Sequence, residues 1–222
     1  MRSFDRKWVY TRRRGRLTDA QSRALKTLRD RFCISSVQAI DTTSIGVEIG
    51  FGMGAELLNW ANAEPQQPLL GVELYEPGVG AVLARLQSDS IDNVTVIERP
   101  AQEVLAELEE RTLREVRIFF PDPWPKKRHH KRRLIQPEFV QRLARAMADA
   151  AILRLATDWA PYASWIRQVF AAEPAFVTVH DSTRPADSDQ SWPARGVTKF
   201  EARGEKLGHD IHDLVFRRTT RK

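Results

Sequence analysis

The sequence has 222 residues, 42% hydrophobic and 29% charged, which suits one globular unit with an appendage. No apolar run nears the roughly 20 residues of a membrane span, and no apolar signal core opens the chain. The one cysteine, Cys33, excludes an internal disulfide and a cysteine-rich zinc site, so a reducing cytoplasm is the expected compartment. The formal charge is +6 and unevenly spread: residues 1–31 carry eleven Lys and Arg and a net +8, leaving the remainder near −2.

Residues 1–16 are basic without periodicity and read as an arm. Thr18-Asp19-Ala20-Gln21 fits a capping box and predicts a helix over 19–31. Arm and helix form one expected unit, residues 1–33, ahead of a main domain, residues 34–222, whose first segment, 34–44, is a polar connector. Strands are then expected at 45–50, 68–74, 94–98, 115–120, 152–157, 176–180 and 211–217. Helices are expected at 53–63, 76–88, 101–110, 137–148 and 161–172, three of them with a proline near the first position, where it is tolerated. Alternating strands and helices give an α/β fold, a mostly parallel sheet with helices on both faces. The last two strands, with no helix between them, predict an antiparallel C-terminal edge.

Val47-Glu48-Ile49-Gly50-Phe51-Gly52-Met53-Gly54 follows a strand and opens a helix. Glycines there let the backbone turn tightly and approach a ligand. The G-x-G-x-G spacing is not that of dinucleotide sites. Glu48 at the strand end would repel a pyrophosphate but not a ligand carrying a sulfonium or an amine. Glu73 ends the second strand, about 20 residues on, where an acid accepts from ribose hydroxyls. Together they favour a cationic, adenosine-type ligand over the bland alternatives of a turn cluster and a surface acid.

Strand 115–120 runs into Pro121-Asp122-Pro123-Trp124-Pro125 and then into residues 126–133, six cations in eight residues. Prolines stiffen the loop, holding Asp122 and an indole for a planar base to stack on. Phe119 and Phe120 read as core. The basic run has a natural partner in a polyanion. Six neutralised phosphates would give a log–log salt slope of roughly −4 to −5. The histidines show no spacing that suggests a metal site, and none is expected.

The run Phe119-Phe120-Pro121-Asp122-Pro123-Trp124-Pro125-Lys126-Lys127-Arg128-His129-His130-Lys131-Arg132-Arg133 resembles the signature of bacterial tRNA (guanine-N7-)-methyltransferases. Val47 to Gly54, Tyr75-Glu76-Pro77-Gly78-Val79-Gly80, Ala156-Thr157-Asp158-Trp159, Arg14-Gly15-Arg16-Leu17-Thr18 and Thr198-Lys199-Phe200-Glu201-Ala202-Arg203-Gly204 are similar too. The resemblance implies a Rossmann-like methyltransferase fold and methyl transfer from S-adenosylmethionine to N7 of a guanine in the tRNA variable loop (position 46). It implies cofactor contacts from Glu48, Gly50, Gly52, Gly54, Glu73, Pro100, Ala101 and Asp122, with Asp122 also catalytic. It assigns tRNA contacts to Lys126, Arg128, His129, His130, Lys131, Arg132, Arg133, Asp158, Thr198, Lys199, Phe200 and Glu201. By its spacing alone Asp158 is equally a helix cap before Pro161, and monomer and homodimer both stay open. Two departures stand out. Pro100 lies where the family usually has a polar residue reaching the adenine, which either leaves Ala101 or Gln102 to take over or lowers cofactor affinity. Ala148-Asp149-Ala150-Ala151 replaces the family's Pro-Gly-Gly turn.

Overall fold

The computed structural model describes residues 15–185 and 210–220. It opens with the capping box: Gln21 N donates to Thr18 Oγ1 at 3.2 Å and Thr18 N to Gln21 Oε1 at 2.9 Å. These bonds satisfy first-turn donors of α1 (Asp19–Phe32), which would otherwise lack partners. The sheet comprises β1 (Cys33–Ile34), β2 (Ile45–Ile49), β3 (Leu69–Val72), β4 (Val94–Ile97), β5 (Leu113–Phe119), β6 (Met147–Thr157), β7 (Phe176–Pro185) and β8 (Asp210–Arg218). The remaining α-helices are α2 (Ala55–Ala63), α3 (Glu76–Ser88), α4 (Ala101–Glu107), α5 (Pro137–Ala146) and α6 (Ala160–Ala171).

Strand order is β1-β4-β3-β2-β5-β6-β8-β7. All neighbours from β1 to β6 pair parallel, and β8 runs antiparallel to both β6 and β7. The expected α/β sheet and its antiparallel edge are therefore both present. Two apolar layers sandwich the sheet. Leu25, Leu57, Val79 and Leu83, from α1, α2 and α3, pack with Leu69, Val94 and Val96. Val104, Phe139, Leu143 and Ile166, from α4, α5 and α6, pack with Leu70, Val116 and Leu153. Each fully buried leucine or phenylalanine contributes about 1.5–3 kcal/mol, which is how short central strands are held without side chains exposed to water.

The structure differs from the sequence reading in three places. β1 pairs Cys33 and Ile34 with Val96 and Ile97, so the expected connector begins in a strand; two residues are too few to show a period. The expected boundary after Cys33 falls inside this strand. Second, β6 begins at Met147 rather than at 152. Its register against β5 jumps from Leu113↔Met147 to Glu115↔Ile152, so residues 148–151 bulge where the family has its glycine turn, with Ala150 at φ 65°. Third, β7 runs on through Asp181-Ser182-Thr183, which read as loop, because every residue from 180 to 185 pairs with β8. An edge strand tolerates polar residues on its open side.

Candidate functional site at the carboxyl edge of the sheet

β2 lies between β3 and β5, so the chain leaves it in one direction and returns on the other side. A crevice opens at such a reversal, outside the carboxyl ends of the strands. The loops after β2, β3, β4, β5 and β6 all end there. They carry Gly50 to Gly54, Glu73, Pro100, Asp122 and Asp158, so one edge of the sheet collects these sequence-predicted positions.

Gly50, Gly52 and Gly54 all have positive φ, 77°, 54° and 80°. Among the described residues, a side chain at Gly50 or Gly52 would meet nothing within 4 Å, leaving space in front of the loop. Gly54 caps α2 and serves packing instead: a Cβ there would sit 2.1 Å from Val82 Cγ2. Gly78 on α3 is a position that residue-by-residue reasoning missed. A Cβ on it would lie 1.9 Å from the Gly52 carbonyl oxygen, so its absence lets α3 support the loop. Glu73 ties the same parts together. Its Oε2 accepts from Gly52 N at 2.8 Å, and its Oε1 from Leu74 N at 2.6 Å and Tyr75 N at 2.9 Å. Three of about four carboxylate lone-pair sites are used, and one remains for a ligand hydroxyl.

Glu48 is 3% exposed, and its Oε2 has no hydrogen-bond partner among the described residues. Burial, reinforced by Glu56, pushes its carboxyl up to about 8; Arg117 opposes the rise and Glu73 adds to it. An unsatisfied buried acid beside open space is a site for a cation or a strong donor. Pro100 is the N-cap of α4 and has no cap hydrogen bond. With no side-chain acceptor to cap them, it leaves the first-turn N–H groups of Ala101 and Gln102 as donors at this corner. The Ala101 side chain is buried in the core.

The loop after β5 is strained: Phe120 and Trp124 have φ of 50° and 44°, in the left-handed region that non-glycine residues avoid. Phe120 N donates to Ala156 O at 2.8 Å, fastening the loop to β6. Phe120 is buried and Phe119 packs against it, as expected of core residues. Asp122 is half-buried. Its charge adds to burial in holding the Tyr162 phenol above the normal range, which puts it near the first turn of α6. Trp124 is partly exposed, with the Arg132 guanidinium 5.0 Å from its ring centroid and His129 edge-on at 5.8 Å.

The basic run forms a 3₁₀ segment, Lys127–Arg132. Lys126, Lys127, Arg128 and Lys131 are exposed, whereas His129, His130 and Arg132 are half-covered. Partial burial and then the neighbouring cations lower the His129 pKa, so at neutral pH it adds little charge. Arg133 corrects the expectation of a phosphate contact. It is 4% exposed, its Nε donates to Pro123 O at 2.8 Å and its guanidinium lies 4.9 Å from the Tyr162 ring centroid. It braces the acidic loop from beneath, because the 3₁₀ turn points it inward. Asp158 is not the cap of α6: the cap is Trp159, whose N–H donates to Thr157 Oγ1 at 3.3 Å. Thr198, Lys199, Phe200 and Glu201 lie outside the described residues. Among the described residues no helix is long and apolar enough to cross a membrane, and no cluster of three His, Cys, Asp or Glu could hold a metal.

A reversing parallel sheet with an antiparallel edge and its ligand loops at the carboxyl ends is the Rossmann-like methyltransferase architecture. Solved structures agree on the fold. The 16S rRNA methyltransferase KamB superposes with a TM-score of 0.59 at 13% identity, over 93% of this chain and 96% of that one. "Structure of an Antibiotic Related Methyltransferase" gives 0.56 at 12%, over 90% and 96%. Within that class the chain belongs to the family described as "Putative methyltransferase", whose model matches residues 42–214. Its relatives include the tRNA (guanine-N(7)-)-methyltransferase of Leifsonia xyli subsp. xyli, 45% identical over 92% of each chain. Another, of the same name, from Nitrosococcus oceani, is 44% identical over 95% of this chain and 90% of its own.

Proposed function

We propose that the chain is an S-adenosylmethionine-dependent tRNA (guanine-N(7)-)-methyltransferase acting on a variable-loop guanine. The observation that carries this is near-full-length identity of 44–45% to relatives of that name. The residues present also fit the cofactor. The space before Gly50 and Gly52 and the unsatisfied Glu48 suit its cationic end, and the remaining Glu73 acceptor suits a ribose hydroxyl.

The cofactor supplies an electrophilic methyl group on a sulfonium. Guanine N7 already bears a lone pair, so no general base is required, and orientation supplies most of the rate. The N–C bond forms as the C–S bond breaks, and positive charge passes to the base. Asp122, on its braced loop, is the carboxylate assigned to stabilise that charge. Asp158, on the neighbouring loop, is assigned to accept from the guanine N1–H and amino group. Lys126, Arg128 and Lys131 reach phosphates beside the pocket.

The test is transfer of a labelled methyl group from S-adenosylmethionine to bulk unmodified tRNA, followed by nucleoside analysis. Labelled 7-methylguanosine is the expected product. Label in another nucleoside, or tRNA binding without label, would overturn the assignment.

A further inference from the structure

A row of charge beneath the glycine loop has no part in the chemistry above. Glu48 on β2 pairs in register with Arg117 on β5, and Arg117 with Arg154 on β6. The three therefore stand on one face of the sheet, on strands about 4.8 Å apart. Arg117 does not satisfy Glu48. Its Nη1 donates to Glu56 Oε1 on α2 at 2.8 Å, and its Nε to Glu115 Oε1 at 2.7 Å. Its guanidinium lies 3.7 Å from the buried Trp60 ring centroid. Arg154 Nε donates to the same Glu115 oxygen at 2.8 Å. Two carboxylates and an indole thus pin the cation beside Glu48, while Glu48 Oε2 stays without a partner among the described residues.

We propose that Arg117 is a positioning residue of the glycine-loop site: held by Glu56, Glu115 and Trp60, it tempers the burial of the Glu48 carboxyl without pairing with it, keeping that group available to a ligand ammonium. The groups facing Glu48 are Glu56 from α2, Arg117 from β5 and Glu73 from the end of β3; its neighbour on β3, Gly71, brings no charge. With its carboxyl at about 8, Glu48 is mostly neutral in the free protein at pH 7. Binding an ammonium group then forms a carboxylate–ammonium pair and sends one proton to water. The inference rests on the cofactor reading proposed above.

The test is calorimetric titration of the whole protein with S-adenosylhomocysteine, in buffers of different ionisation enthalpy, which counts released protons. Counts are corrected for the ligand's own amine from a titration of the free ligand at the same pH. At pH 8.5 the native chain should release about a quarter of a proton. Loss of the neighbouring cation in Arg117→Gln raises Glu48 by roughly one further unit. Its count should therefore be about three quarters. Its affinity should be roughly eightfold weaker than native at pH 7.5 and within about twofold at pH 9.5. Arg117→Lys, which keeps the charge, should keep the native count. Should Arg117→Gln fail to fold, Glu56→Gln decides: removing that acid should lower the count below the native one, and an unchanged or higher count would overturn the inference. Binding by Arg117→Gln with the native count overturns it too, leaving Arg117 purely structural. No binding by the native chain at any pH overturns the cofactor reading and this inference with it.

Discussion

Ala150 stands in the left-handed region, at φ 65°, exposed in the bulge of β6, where a glycine would carry no strain. Left-handed backbone costs an L-residue about 1–2 kcal/mol, partly offset because glycine is freer in the unfolded chain. Ala150→Gly should gain about 0.5 kcal/mol and raise the melting temperature by roughly 1–2 °C; a lower temperature would show that the alanine makes a contact worth more than its strain. Asp122 carries the chemical prediction at this scale. Asp122→Ala should reduce single-turnover methyl transfer about 100-fold while tRNA affinity stays within about twofold, and undiminished turnover would remove its catalytic role. That Asp122 stands in a loop at the end of a strand was legible from its flanking prolines. The inward turn of Arg133 was not, since six cations in eight residues look alike until the backbone assigns each a side.

The basic 3₁₀ segment shows what an element adds to a composition. Six cations predicted a steep salt dependence, but the fold leaves four fully exposed, and the expected slope drops to roughly −3 to −4. Lys127→Ala should flatten the slope of tRNA binding by about 0.9 if it meets one phosphate, with no change in melting temperature. Arg133→Ala should do the reverse. It removes a charged hydrogen bond to the Pro123 carbonyl, costing about 2 kcal/mol of stability, and it leaves the slope unchanged. Equal slopes in Lys127→Ala and the native chain would remove that lysine from the interface. Elsewhere the helices were the most legible elements, with α3 read to the residue, because a 3.6-residue period over three turns and a proline at the start constrain both ends. β1 and the β6 bulge were illegible for the opposite reason: pairing with a distant strand, not local pattern, makes them.

For the whole molecule the decisive fact is that one sheet edge gathers loops from five strands, and that the acid beneath them is buried at a cost. The Glu48 carboxyl binds a proton more tightly folded than unfolded, at about 8 against an ordinary 4.5. Its contribution to stability is therefore complete below about pH 4.5 and is lost as pH rises through 8. Glu48→Gln should free the ligand-free protein of that loss, melting roughly 10 °C higher than the native chain at pH 8.5 and about equally at pH 4.5. A native chain equally stable across that range would show that the acid is hydrated. The sequence by itself determined the class of fold, the glycine loop, the two acids that end the neighbouring strands and the acidic loop with its basic tail. Those depend on local backbone demands and on strand–helix alternation, which are written in consecutive residues. Only the tertiary structure decided which cations face water and that Glu48 Oε2 is left without a partner among the described residues. It alone placed Arg117 beside Glu48, held by Glu56 and Trp60. Burial and pairing depend on which strands lie side by side, and residues 48, 56 and 117 become neighbours only when β2 is inserted between β3 and β5.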